Sequence, residues 1–193
     1  LSEAEENLIS ILPIKTADNP NGIISLREIE DVNDNLASKN YTWGKLIGNV
    51  IELAKKRGKG VEFHEAFHGV FRILLNREQR QAAYKAALNK YGKPSNATLI
   101  EFKNEHSSRI NMTIPELTLL WLEEQMADDY QGSELAWRKM GILEKVFNKL
   151  KRLAKAIFDN HTDLELLFQD ISKGRYKKAN PSEDVIYGTA YKL

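Results

Sequence analysis

The chain contains no cysteine. Disulfide scaffolds, thiolate nucleophiles, iron–sulfur clusters and Cys-ligated zinc are therefore excluded. Histidine is scarce, with 4 in 193 residues, so any metal site must combine few imidazoles with carboxylates. No apolar run approaches the roughly 18 residues of a membrane-spanning helix. No basic segment leads into an apolar one, as a secretory signal would. Charge of one sign is also lacking: 28 Lys+Arg stand against 27 Asp+Glu, a net +1. Such a balance gives no global field for nucleic acid or acidic ligands. A chain that opens on Leu1 is expected to be a processed piece of something longer.

What is present suits a globular domain with a sizeable core: 42% of residues are hydrophobic and 28% charged. The hydrophobic spacing predicts a mainly α fold with little or no β-sheet. Ser2 caps a first helix that ends before Pro13. Ser25 and Glu28 read as a capping box, with Leu26, Ile29, Val32 and Leu36 at helical spacing behind it. Trp43, Leu46, Ile47, Val50, Ile51 and Ala54 form the stripe of a third helix. Further helices are predicted over 61–75, from Asn76 to Tyr91, around Thr98 to Asn104, over 114–130 behind the Thr113/Glu116 box, over 133–158, and from Thr162 to Gly174. Strand signals are confined to 22–26 and 185–187. Three regions follow: 1–40, a helical domain over 41–174, and an extended tail over 175–193.

The neutral total conceals two opposite runs. Residues 2–34 hold eight acids and two bases, and residues 138–158 hold seven bases and one acid. The basic run, with Lys173, Arg175, Lys177 and Lys178 in the tail, reads as a solvated helix face. Its alternative is weak contact with an acidic partner or nucleic acid.

The chemistry is concentrated in His64-Glu65-Ala66-Phe67-His68. Residues i and i+4 share a helix face, so both imidazoles can reach one metal ion. Glu65, next to the first ligand, is placed to take a proton from a water on that metal. With 4 His and 18 Glu, chance produces this pattern in roughly one of two hundred shuffled chains. The apolar stripe Phe63, Phe67, Val70, Phe71 and Leu74 sets His64 and His68 at its edge. Gly69 leaves room on the side of Glu65.

A third ligand cannot be Cys. In the helix over 114–130, Leu117, Leu120, Trp121 and Ala127 define an inward face, with Glu124 near its centre and Asp128 one turn later. A carboxylate there is costly unless paired or metal-bound. Glu124 as ligand, with Asp128 accepting the free N–H of a ligand His, satisfies both groups. Glu123 points to the flank and is the weaker candidate.

His64-Glu65-x-x-His68 followed by Glu124-x-x-Ala127-Asp128 resembles the gluzincin class of zinc metallopeptidases. The run from Gly60 to Arg72 more narrowly resembles zincin-like domains of large polyvalent virion proteins of tailed phages, including crAss-like phages. The resemblance implies zinc as cofactor, held by His64, His68 and Glu124, and peptide-bond hydrolysis with Glu65 as the base. It further implies a protein or peptide substrate, other phage virion proteins as partners, and a place in the capsid interior or the bacterial cytoplasm. Gluzincins carry a sheet whose edge strand pairs with the substrate, and no convincing sheet is read here. The oxyanion or substrate contact stays open among Tyr130, His106, Arg72, Tyr91 and His161. The alternative is a structural virion cargo protein in which the zincin fold is purely architectural.

Overall fold

The computed structural model describes residues 2–30, 44–105, 109–139 and 163–185. The fold is mainly α, as the periodicity predicts. Helix α1 (Glu3–Ile11) starts at the Ser2/Glu5 capping box and ends at Leu12, where Pro13 follows. Helix α2 (Val61–Gly69) runs into a π turn at Val70–Leu74, closed by the Leu75 N–H on the Val70 carbonyl. Helix α3 (Arg77–Tyr91) begins at the Asn76/Gln79 capping box and α4 (Asn96–Asn104) at Ser95. Helix α5 (Ile114–Lys139) begins beside the reciprocal Thr113/Glu116 bonds. Helix α6 (Asp163–Ser172) stops at Gly174, whose φ is +66°.

Two predicted helices are strands. The segment expected to be capped by Ser25 and Glu28 forms β1 (Ser25–Ile29), so the strand signal at 22–26 prevailed there. The stripe from Trp43 to Ala54 forms a hairpin of β2 (Gly44–Ile47) and β3 (Val50–Ala54). The physical reason is the turn. Gly48 adopts φ +58° and, with Asn49, makes a two-residue connection that reverses the chain. The spacing of Leu46, Ile47, Val50 and Ile51 fits a helix face, but these residues also alternate across a pleated ribbon. The central strand β3 pairs parallel with β1 and antiparallel with β2. The sheet is small, three strands in all among the described residues, in keeping with the expected mainly α fold with little sheet. The other strand signal, 185–187, lies outside the described residues except for Val185.

Helix α5 also exceeds its expected end at Tyr130 and passes through Gly132 to Lys139. An interior glycine costs about 1 kcal/mol of helix propensity. The continuation is packed: a Cβ on Gly60 would stand 2.9 Å from the Leu135 side chain, and Gln131 donates to the Lys59 carbonyl. Most of the predicted 133–158 helix, including its basic run beyond Lys139, lies outside the described residues.

Helix α4 packs Leu99 and Phe102 against Leu117 and Leu120 of α5 in a small cluster, and one larger core joins α5 to the other elements. Leu8, Leu12 and Ile24 from the N-terminal region share it with Ile51 and Leu53 of β3, Phe63, Phe67 and Phe71 of the α2 segment, Tyr130 of α5 and Phe168 of α6. The rings interlock, with Phe67 stacked on Phe71 at 5.5 Å and Tyr130 5.5 Å from Phe168. Helix α2 lies against α5 on one side and the sheet on the other.

Candidate metal centre

Helix α2 starts at Gly60, whose φ of +88° and close approach to Leu135 suit a residue without a side chain. From that start, His64 and His68 face helix α5, which returns Glu123, Glu124 and Asp128. His64 Nδ1 lies 3.1 Å from Asp128 Oδ1, and His68 Nδ1 lies 2.5 Å from Glu123 Oε1. A carboxylate at Nδ1 draws the imidazole proton to that nitrogen and leaves Nε2 as an acceptor. The two Nε2 atoms face each other at 3.0 Å. The Glu124 carboxylate closes the triangle, 3.2 Å from His64 Nε2 and 3.7 Å from His68 Nε2. Ligand atoms of His64, His68 and Glu124 all lie within 4.8 Å of one another.

Three acceptors converging with no donor between them repel one another unless a cation sits at their centre. Two nitrogens on a tetrahedral zinc, each about 2.0–2.1 Å from it, are about 3.3 Å apart. The observed 3.0 Å needs an adjustment of a few tenths of an ångström. The residues therefore fit zinc in identity, number and spacing.

In the metal-free chain a proton takes the cation's place. Burial pulls the His64 pKa down, but hydrogen bonds to Asp128 and Glu124 and the charges of Glu124 and Glu65 outweigh it, and the group is pushed up to about 10. His68 is opposed by burial too, and is raised by the Glu124 charge and its bonds to Glu123 and Glu124. Burial works against an ionised Glu124, yet the charge of His68 and the bonds from both imidazoles hold it well below the usual carboxylate range.

Glu65 is 5% exposed and sits on the sheet side of α2. Burial pushes its pKa up despite the opposing imidazolium charges. A carboxyl raised toward neutral pH is a better proton acceptor than an ordinary one. Its space is made by β2: a Cβ on Gly44 would stand 2.8 Å from Glu65 Cγ and 3.0 Å from its Oε1. Gly69, expected to provide that room, instead faces the Leu12 and Ile24 side chains.

The site opens to solvent through Asp128, whose side chain is 66% exposed. A cleft of about 330 Å³ adjoins it, lined on α5 by Trp121, Glu124 and Asp128 and at the C-terminal end of α4 by Glu101 and the capping residue Glu105.

Of the contacts predicted for an oxyanion or substrate, Arg72 is buried and donates from Nε to Glu123 Oε1 at 2.6 Å. Tyr130 is fully buried among Phe63, Phe67 and Phe168. Tyr91 donates its hydroxyl proton to Asp129. His106 and His161 lie outside the described residues. Sequence reasoning placed Glu123 on the flank, whereas it is fully buried. The signal was present. Leu120, Met126, Ala127 and Tyr130 lie three, three, four and seven residues away from it, and counting Met126 and Tyr130 centres the buried stripe on Glu123.

No protein-family model, curated protein or solved structure matches the chain.

Proposed function

We infer that this chain is a zinc-dependent peptidase whose metal is held by His64, His68 and Glu124. The observation that carries the reading is the convergence of two imidazole Nε2 atoms and one carboxylate, with both Nδ1 positions already taken by acids. Zinc bound there supplies Lewis acidity to a water and to a substrate carbonyl. Asp128 and Glu123 hold the two imidazoles in the tautomer that presents Nε2. Glu65 takes a proton from the attacking water as its oxygen bonds to the carbonyl carbon. As the C–N bond breaks, the same carboxyl returns that proton to the leaving amine. The outer edge of β2, beside Glu65 and without a further strand among the described residues, offers backbone donors and acceptors to an extended peptide. Origin from a phage virion protein, with virion partners, rests on the sequence resemblance.

Glu65→Gln is the direct test. The variant is expected to bind one equivalent of zinc while casein cleavage falls by about 10² or more. His64→Ala, left with two protein ligands, is expected to lose the metal itself. A Glu65→Gln protein that cleaves at the parent rate would exclude Glu65 as the base. A parent that holds zinc yet cleaves nothing in a peptide library would favour the architectural virion role.

A further inference from the structure

Arg72 lies one turn beyond His68, on the same side of the α2 segment, and both reach the same atom. Glu123 Oε1 accepts from Arg72 Nε at 2.6 Å and lies 2.5 Å from His68 Nδ1. All three groups are buried: Glu123 is 0% exposed, His68 5% and Arg72 9%. A carboxylate in such a place needs both a counter-charge and hydrogen bonds. Zinc cannot provide the counter-charge directly, because Glu123 stands behind His68, on the ring nitrogen away from the metal point. His64 has a different arrangement, since its Asp128 partner is largely exposed to water. The two ligand histidines are therefore held by unlike carboxylates, one solvated and one sealed into the core.

We propose that Arg72 and Glu123 act together as a positioning pair for the zinc ligand His68: the guanidinium gives the buried carboxylate a counter-charge and aims it, and the carboxylate fixes His68 with Nε2 toward the metal. This rests on the zinc reading above. It replaces the role of Arg72 as a substrate contact, since its side chain is turned into the core. Carboxylates behind a ligand histidine typically change metal affinity by about 10–100-fold.

A positioning role separates from mere core stability in the double variant Arg72→Met/Glu123→Gln. Removing either charge alone leaves the other buried and uncompensated, so each single variant is expected to melt well below the parent. The double variant removes both charges, and its apo melting temperature is expected to recover. Its zinc affinity, measured by competition with a chromophoric chelator, is expected to stay about 10–100-fold weaker. Recovery of zinc affinity together with stability would overturn the proposal. Should the double variant fail to fold, Arg72→Lys, which keeps the charge but loses the planar Nε–H donor, is expected to weaken zinc several-fold, and parent affinity there would overturn it equally. A parent that takes up no zinc would remove the metal reading and this inference with it. A parent that binds zinc beside a double variant that binds as tightly would remove only this inference.

Discussion

At the scale of the residue, His64 makes the metal-free chain sensitive to pH. Its folded pKa of about 10 lies above its ordinary 6.5. The stabilisation it contributes is therefore complete below pH 6.5 and is lost as pH rises through 10. Chemical denaturation of the apo protein should show stability falling across that window. The zinc-loaded protein should lack this slope, because the metal occupies the proton's place, and loading at pH 8 should release protons to the buffer. A flat apo profile between pH 6.5 and 10 would contradict the His64 environment described above. Gly44 gives a second prediction. A methyl group there meets Val61 Cγ1 at 2.7 Å and Glu65 Cγ at 2.8 Å, so Gly44→Ala must displace Glu65, the base in the proposed reaction. The expected cost is about 1–3 kcal/mol of stability, with a fall in kcat larger than any change in zinc affinity. Equal kcat in parent and variant would show that Glu65 tolerates the shift.

At the scale of the element, the hairpin β2–β3 shows two readings of one sequence competing. Leu46-Ile47-Gly48-Asn49-Val50-Ile51 carries a helical stripe and also a Gly-Asn turn between apolar runs. The strand outcome depends on pairing: β3 is saturated on both sides, by β1 and β2, and its residues 51–54 are buried. No local pattern reports that partnership, because β1 lies some 25 residues earlier in the register. The turn itself is testable. Gly48 at φ +58° should tolerate Asn, which visits the left-handed region, far better than Val. Gly48→Val is expected to cost about 1–2 kcal/mol, read from urea unfolding, with Gly48→Asn near the parent. Similar losses in both would argue against the turn. The helices expected behind Ser2, Asn76 and Thr113/Glu116 formed, whereas capping and periodicity agreed at Ser25/Glu28 too and a strand formed there.

At the scale of the whole molecule, the site depends on α2 being gripped between α5 and the sheet, with α1 packed behind it. A zinc ion held by the proposed ligands of α2 and α5 would tie two elements that are more than 50 residues apart, and would stabilise the native state as a bound ligand does. Free zinc at 1,000 times its Kd is expected to add about 4 kcal/mol. For a chain of this length that corresponds to a rise on the order of 10 °C in melting temperature. Chelation should reverse it, and His64→Ala should abolish the response. A melting temperature indifferent to zinc would count against the shared site.

The sequence by itself restricted the ligand chemistry open to the proposed metal site. Zero cysteine restricts a zinc site to imidazole and carboxylate, and the i, i+4 spacing of His64 and His68 puts both on one helix face whatever surrounds it. It also marked Glu124 and Asp128, since their spacing on α5 is just as local. Only the tertiary structure decided which carboxylate faces which ring nitrogen, that Arg72 donates to Glu123, and that Gly44 of a strand makes the space for Glu65. Those outcomes depend on how α2, α5 and the sheet pack, and packing joins residues whose separation along the chain carries no periodic signal.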